Sequence, residues 1–199
     1  MSSPPRRLDS VCVFCGSSNA ADPALIAAAA SLGEILAREG LRLVYGGGGV
    51  GLMGACARAT HLAGGRVLGV IPQFLTHVEA APAGADIVVV ASMHERKMTM
   101  FEAADAFAVL PGAIGTLEET IELLSWRRLG LHAKPIVFYN PGGFWDPLFA
   151  LFRQFIDAGL LPSEFADCWR SVNDIADVLP ALRAMPATFM SAPGVTALT

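Results

Sequence analysis

Residues 106–119 constrain the fold more than any other stretch, and they read AFAVLPGAIGTLEE. The first five residues are apolar, which is the length and character of a buried strand. Pro111 and Gly112 interrupt this run, and from Thr116 onward apolar residues recur at the spacing of one helix face. The stretch therefore predicts a buried strand that enters a helix through a glycine turn.

A helix that follows a strand through such a turn is suited to bind an anion. Its first backbone N–H groups have no partner inside the helix, and they lie at the positive end of the helix dipole. We therefore expect a phosphorylated ligand at residues 112–116. The same residues also match a capping box, in which Thr116 caps the helix and Glu119 reaches back to it. The capping box needs no ligand, and the spacing alone favours it because caps outnumber catalytic carboxylates at helix starts.

The rest of the chain alternates between strand patterns and helix patterns. The predicted strands are residues 11–15, 41–45, 66–71, 86–91, 106–110 and 135–139, and the predicted helices are 22–39, one that carries 55–62, one that starts at Met93, 116–129, 145–158 and 173–185. Parallel strands joined by right-handed helical crossovers form a doubly wound, Rossmann-like sheet, and its ligands bind at the carboxyl ends of the strands. We expect this α/β fold in a single domain over residues 11–186, with a flexible arm at 1–10 and a tail at 187–199.

Composition limits the classes of function. The chain has 199 residues and a net charge of −4, and it lacks a basic cluster, so a nucleic-acid polymer is a poor candidate partner. The longest uncharged interior stretch, residues 43–57, is glycine-rich and shorter than the ~20 apolar residues of a membrane span. The first ten residues lack the apolar core of a signal peptide, and we therefore expect a cytoplasmic protein with no membrane partner.

Residues 46–54 form a second glycine-rich turn. Within it, Gly49-x-Gly51-x-x-Gly54 matches the dinucleotide fingerprint, but that fingerprint requires an acidic residue about 20 positions further on, and residues 70–78 contain none. The turn is therefore interpreted either as a loop that approaches a phosphate or as a tight helix–strand junction, and not as an NAD site.

Residues 93–97, MHERK, place two cations at the start of a helix, where positive charge is disfavoured unless an anion lies nearby. Arg96 is therefore expected to face a ligand. The alternative is a solvated first turn in which His94 and Glu95 have no role.

Cys12 and Cys15 resemble a CxxC motif. Residues three apart on a strand point to opposite faces, so we expect two core thiols and neither a metal site nor a disulfide. The other candidate metal ligands are scattered along the chain, and no metal is expected.

Four segments taken together, PGAIGTLEE, GGGGVGLMG, MHERK and WRRLGLHAKP, resemble the Lonely Guy family of cytokinin-activating phosphoribohydrolases. The similarity covers about residues 11–161. It implies hydrolysis of the N-glycosidic bond of a purine nucleoside 5′-monophosphate, AMP or its N6-prenylated forms, to free base and ribose 5-phosphate. It also implies a homodimer that needs no cofactor. Members have been labelled lysine decarboxylases, which fits badly here because the two lysines, Lys97 and Lys134, do not lie in an evident pyridoxal phosphate site.

The resemblance assigns the catalytic pair to Arg96 and Glu119. The substrate-binding candidates are Ser17, Gly47, Gly48, Glu79, Met93, Arg96, Lys97, Gly112, Ala113, Ile114, Gly115, Thr116, Leu117, Glu118 and Ser125. We expect Glu119 to lie in the first helical turn, where the dipole lowers its pKa and keeps it ionised, so that it can stabilise a cationic ribosyl centre.

This chain departs from the family motif PGGxGTxxE at one glycine, which is Ala113 here; alanine is tolerable there only if φ is negative. Ser125 replaces a usual threonine, and Arg127 replaces a common glutamine. Two other functions remain open: a nucleotide or cofactor carrier without chemistry, and a nicotinamide oxidoreductase, which the missing ribose-binding acid disfavours.

Overall fold

A computed structural model describes residues 7–76 and 84–186. Seven parallel strands form one sheet in the order β4-β3-β2-β1-β5-β6-β7. The strands are β1 (Ser10–Phe14), β2 (Arg42–Tyr45), β3 (Val67–Pro72), β4 (Asp86–Val90), β5 (Ala106–Val109), β6 (Ile136–Tyr139) and β7 (Arg170–Val172). Glu79, residues 1–6 of the predicted arm and the predicted tail at 187–199 lie outside the described residues.

The helices are α1 (Pro23–Arg38), α2 (Gly51–Leu62), α3 (Met93–Ala103), α4 (Ile114–Arg128), α5 (Asp146–Asp157) and α6 (Val178–Ala184). Within the described residues, none of them combines the length and apolar character that crossing a membrane requires. The cytoplasmic location stays a prediction.

The strand order reverses between β1 and β5, which is the topological switch point of a doubly wound sheet. Val11 of β1 is in register with Leu43 of β2 on one side and with Ala106 of β5 on the other. Beyond the two strands, the Gly16 N–H donates to the carbonyl of Pro111 at 3.1 Å, so the two following turns lie against each other. The predicted Rossmann-like class is confirmed, and the switch point brings the glycine turn after β5 beside the loop after β1.

The sheet separates two hydrophobic cores. Leu32 of α1 and Leu52 of α2 lie in the first core, while Met100 of α3 and Leu124 of α4 lie in the second. Side chains alternate along β1, so the strand contributes to both cores because both faces of a doubly wound sheet are covered.

Cys12 and Cys15 follow the same alternation. Cys12 lies in the second core and Cys15 in the first, and both are buried free thiols, which confirms that they are core thiols. Burial raises the pKa of each thiol well above its ordinary value, so both stay protonated at neutral pH.

Beyond shifts of about one residue at other element ends, three features differ from the sequence prediction. The strand β7 was not predicted, because its three residues, Arg-Ser-Val, carry little pattern. The predicted helix at 173–185 is a short turn, Ile175–Asp177, followed by α6. The helix α4 begins at Ile114 and not at Thr116, and this shift changes the interpretation of the central turn.

Candidate active site

The start of α4 forms one wall of the candidate site. Ala113 precedes the helix with φ −101° and ψ −151°, so the expectation that alanine requires a negative φ there is met. Thr116 is the third residue of α4 and is buried. A Cβ atom at Gly112 would lie 2.1 Å from the Thr116 Oγ1, so the threonine side chain occupies the space under the turn that only glycine leaves open.

The capping-box interpretation is therefore wrong. Thr116 lies inside the helix and does not cap it, and Glu119 lies in the second turn. The physical reason is that the extended backbone of Ala113 starts the helix two residues earlier than the apolar periodicity indicates.

The first amides of α4 are left available to a ligand. In α1 the N-terminus is capped by Asp22, in α3 by Ser92, and in α2 the Gly51 N–H donates to Asn19 Oδ1 at 3.0 Å. In the part of the chain that the structure describes, α4 has no such side-chain cap. An uncapped helix start at the sheet switch point is suited to a phosphate group.

Arg96 enters the site from the first turn of α3 and is only 6% exposed. Its Nε donates to the Val70 carbonyl at 3.2 Å, and its Nη2 donates to the Gly46 carbonyl at 2.9 Å. A Cβ atom at Gly46 would lie 1.9 Å from Nη2, so this glycine makes room for the guanidinium. The third nitrogen, Nη1, lies 4.0 Å from the Oε1 of Glu119.

Arg96 is buried, so the solvated first-turn alternative is wrong for this residue, whereas Met93, His94 and Glu95 are exposed as that alternative expects. Glu95 has a role as well: its carboxylate accepts from the Ala91 N–H at 2.7 Å, while its own N–H donates to Ser92 Oγ at 3.1 Å. The anionic cap offsets the cost of a cation at the positive end of α3.

Glu119 faces Arg96 from the second turn of α4, with a side chain that is 11% exposed. Burial raises its pKa from 4.5 to about 7, although Arg96 acts to lower it. The expected lowering by the helix dipole is wrong, since desolvation of the carboxylate exceeds the dipole effect beyond the first turn. Glu119 is therefore a carboxyl group that titrates near neutral pH.

A cavity of about 220 Å³ joins these elements at the carboxyl ends of β1 and β5. It is lined by Cys15, Gly16, Ser17, Met53, Arg96, Ala113, Gly115, Thr116 and Glu119. Six of these were sequence candidates. Cys15, Gly16 and Met53 were missed as lining residues, although Gly16 directly follows the predicted strand 11–15, at the end of a parallel strand where ligands bind.

Six other candidates among the described residues are not in the lining of this cavity. Ile114 is highly exposed beside it, Leu117 and Gly112 are partly buried, and the Met93 sulfur lies 3.9 Å from Arg96 Nη1. Gly47 is buried, with φ +83° and a Cβ position only 3.0 Å from the Ile71 Cβ, and the neighbouring Gly48 is also buried.

Close packing explains why glycine is required at Gly51 and Gly54, at the end of the second glycine turn. A Cβ atom at Gly54 would lie 2.1 Å from the Gly49 carbonyl, and one at Gly51, where φ is +58°, would lie 2.6 Å from the Ser18 nitrogen. These glycines allow the start of α2 to pack against Gly49 of its own turn and against the loop after β1.

Three further candidates, Lys97, Glu118 and Ser125, also lie outside the lining of this cavity. The Lys97 ammonium contacts the carboxylate of Glu118 and lies 2.9 Å from Glu122 Oε2. Ser125 lines a different, apolar cavity of about 390 Å³, between α4 and the segment that carries α5. The structure does not bring Ser125 together with Arg96 and Glu119 within one chain.

In the described ranges 7–76 and 84–186, no group of three or more His, Cys, Asp or Glu side chains is arranged to hold a metal ion.

The fold and the site together define a Rossmann-like α/β protein with a buried carboxyl–guanidinium pair and an uncapped helix start at its switch point.

Comparison with known proteins gives the family. The family model described as "Possible lysine decarboxylase" matches residues 53–182. A probable cytokinin riboside 5′-monophosphate phosphoribohydrolase of Oryza sativa subsp. japonica is 42% identical, over 93% of this chain and 82% of that protein. A cytokinin riboside 5′-monophosphate phosphoribohydrolase of Arabidopsis thaliana is also 42% identical, over 89% and 78%. The chain therefore belongs to the Lonely Guy family.

Solved structures with the same fold are more distant in sequence. A molybdenum cofactor binding protein from Rippkaea orientalis has a TM-score of 0.66 and 22% identity, covering 87% of this chain and 94% of that chain. The molybdenum cofactor carrier protein of Chlamydomonas reinhardtii has a TM-score of 0.66 and 20% identity, covering 92% and 100%. At this identity the similarity shows the fold and nothing about the activity.

Proposed function

We propose that this protein hydrolyses the N-glycosidic bond of a purine nucleoside 5′-monophosphate, such as AMP or N6-prenyl-AMP, to free base and ribose 5-phosphate. The observation that carries the proposal is the Arg96–Glu119 pair, which lines one cavity with the uncapped start of α4. The names of relatives that are 42% identical support the same chemistry.

In this proposal the substrate phosphate binds the backbone N–H groups at residues 112–116, and Ser17 borders the same cavity. Arg96 adds a fixed positive charge for phosphate or ribose oxygens. Two carbonyl groups hold its guanidinium, so little side-chain freedom is lost when the substrate binds.

The reaction breaks the bond between ribose C1′ and the purine nitrogen, and the bonding electrons leave with the base. Positive charge develops on the ribose, and the ionised carboxylate of Glu119 stabilises it. Water then adds its oxygen to C1′, Glu119 accepts a proton from that water, and the proton passes to the departing base. Because the pKa of Glu119 is about 7, the carboxylate can both act as an anion and return a proton near neutral pH.

The competing function is a carrier that binds a nucleotide or cofactor without chemistry. The buried, titratable Glu119 favours the hydrolase, because a carrier gains nothing from a desolvated carboxyl group next to a phosphate site.

Incubation of the purified protein with AMP, followed by chromatography for adenine and ribose 5-phosphate, tests the proposal. Equimolar formation of both products is expected. Binding of AMP without release of adenine would favour the carrier.

We also propose that the protein is a homodimer. The outer face of α4 and the residues after it expose large apolar side chains: Ile114 is 79% exposed, Leu129 50% and Leu131 66%. A second copy would cover such a face, and Ser125 lies on the same side of α4. Ile121 is 37% exposed and lies on this face together with Ser125 and Leu129. Sedimentation equilibrium of the protein and of Ile121→Glu tests the proposal, with a shift toward monomer expected for the variant.

A further inference from the structure

Lys97 connects the two helices that carry the catalytic pair. It follows Arg96 on α3, and its side chain is only 15% exposed. Its ammonium contacts the carboxylate of Glu118 and lies 2.9 Å from Glu122 Oε2, one turn further along α4. The two carboxylates flank Glu119, so the ion pairs link α3 and α4 immediately beside the Arg96–Glu119 contact.

Lys97 does not lie among the described residues that line the 220 Å³ cavity. It lines a much smaller void of about 10 Å³ together with Glu119, Glu122 and core side chains such as Phe107. Lys97 therefore lies behind Glu119 relative to the substrate cavity.

The charge of Lys97 is already compensated. Burial acts to lower the pKa of Lys97, but its bonds to Glu118 and Glu122 raise that pKa above the ordinary value. An ammonium group held by two carboxylates attracts a phosphate less than a free one does, and moving it would leave both carboxylates without their cation.

We propose that Lys97 is a positioning residue that holds α3 against α4 and thereby fixes the spacing of Arg96 and Glu119, and that it does not bind the substrate. This inference rests on the proposed hydrolase function of the same site.

The charges around Glu119 predict how loss of Lys97 would change its ionisation. Glu119 is faced by the cations Arg96 and Lys97 from α3 and by the carboxylates Glu118 and Glu122 on its own helix. The thiols of Cys12 on β1 and of Cys15 directly after β1 also face it, but both are protonated at neutral pH. Without Lys97, one compensating cation is lost and two carboxylates remain, so Glu119 becomes harder to ionise.

The test uses steady-state kinetics with AMP on Lys97→Met, Lys97→Arg and the double variant Glu118→Gln/Glu122→Gln. For Lys97→Met we expect kcat to fall about 10-fold or more, because the reacting groups lose their fixed spacing, while KM changes less than about 3-fold. The acidic limb of the kcat/KM profile should move to higher pH, and Lys97→Arg should restore most of kcat.

The double variant Glu118→Gln/Glu122→Gln removes the two carboxylate partners of Lys97 and leaves the positive charge of Lys97 in place. We expect kcat to fall in this variant as well, but the acidic limb should move to lower pH because two anions next to Glu119 are gone. Arg183→Met is the matched control. Arg183 forms an ion pair with Glu39 that has the same 2.9 Å length as the Lys97–Glu122 pair, but it lies at the surface beside the first core. Its kinetics should equal those of the wild type.

A role in substrate binding predicts the opposite pattern: a KM for AMP that is at least about 10-fold higher in Lys97→Met with little change in kcat. That pattern, or wild-type kcat in both Lys97→Met and the double variant, would overturn the inference. If Lys97→Met does not fold, the double variant and Lys97→Arg still decide.

Failure of the proposed function is distinguishable from failure of the inference. The former is an absence of adenine release by the wild type. In that case, 13C NMR titration of labelled glutamate carboxyl groups gives the pKa of Glu119 without turnover. The inference expects this pKa to be higher in Lys97→Met than in the wild type, and an unchanged value would overturn it.

Discussion

The Nη1 of Arg96 lies 4.0 Å from the Oε1 of Glu119, which is longer than a direct hydrogen bond. The two side chains come from helices that follow different strands, and backbone carbonyls hold the arginine. The carboxyl group is therefore close enough to sense the positive charge and still free to act on a bound ligand.

The first prediction concerns turnover. Glu119→Gln should reduce adenine release from AMP by about 10²-fold or more, because it removes the anion that stabilises the ribosyl cation. The affinity for AMP, measured by calorimetry, should change little, since glutamine keeps the shape of the side chain. Glu34→Gln, an exposed change on α1, is the control. Wild-type turnover of Glu119→Gln would contradict the proposed mechanism.

The same variant should be more stable than the wild type at pH 8. The pKa of Glu119 is about 7 in the folded protein and 4.5 as its ordinary value, so the folded state binds more protons between these values. The stability that protonated Glu119 contributes is therefore complete below pH 4.5 and is lost as the pH rises through 7. Urea unfolding at pH 8 and at pH 4.5 should show the advantage of Glu119→Gln at the higher pH only. Equal stabilities at pH 8 would mean that the carboxyl group is not desolvated.

The activity should increase with pH, whereas the contribution of Glu119 to stability decreases with pH. Since the ionised carboxylate is the active form, kcat/KM for AMP should rise with pH through about 7 and then level off. Initial rates at low AMP concentration across pH 5.5–9 measure this. A value of kcat/KM that falls through pH 7 would show that the protonated form is required.

His132 should oppose Glu119 in the pH dependence of stability. Burial lowers the pKa of His132 from 6.5 to about 4, and its Nδ1 accepts from the Lys134 N–H at 3.1 Å. Between pH 6.5 and 4, His132 is protonated in the unfolded chain but neutral in the folded protein. The stability that neutral His132 contributes is therefore complete above pH 6.5 and is lost as the pH falls through 4. In Glu119→Gln, where the opposing group is absent, the free energy of unfolding should therefore increase from pH 4.5 to 6.5. A decrease over that range would contradict this assignment.

Two glycines of the central turn should respond differently to alanine. At Gly112 a Cβ atom would lie 2.1 Å from Thr116 Oγ1, so Gly112→Ala should lower the free energy of unfolding by about 1–3 kcal/mol. At Gly115 a Cβ atom would meet nothing within 4 Å. Gly115→Ala should leave stability intact but raise the KM for AMP, because the methyl group crowds the amides that bind the phosphate. Urea unfolding and kinetics on both variants separate strain from ligand binding, and an unchanged KM in Gly115→Ala would argue against a phosphate at this turn.

Much of the fold could be predicted from the sequence because its determinants are local. The apolar run that ends at Pro111 and the proline and cap at the start of α1 are read from neighbouring residues. The strand β7 could not be predicted, because three residues are too few to show a period. The register that brings Gly16 against Pro111 depends on pairing between distant strands.

The sequence predicted the Arg96–Glu119 pair and part of the cavity lining, but not the protonation state of Glu119 or the contacts of Lys97. Arg96 and Glu119 were recognisable from their motifs. The pKa of Glu119, however, was predicted in the wrong direction, because it depends on how much water the folded chain removes from the carboxyl group. Lys97 was grouped with the substrate ligands because it follows Arg96 in the motif, and its carboxylate partners on α4 appear only in the folded chain.

By itself, the sequence determined the alternation of strands and helices, the glycine turns that follow the strands, and the family, since these depend on the order and spacing of residues. Only the tertiary structure decided that α4 starts at Ile114 without a cap, that Arg96 is held by the carbonyls of Gly46 and Val70, and that Glu119 titrates near neutral pH. The physical reason is that burial and electrostatic contacts depend on distances through space between residues far apart in the chain, and local patterns do not specify those distances.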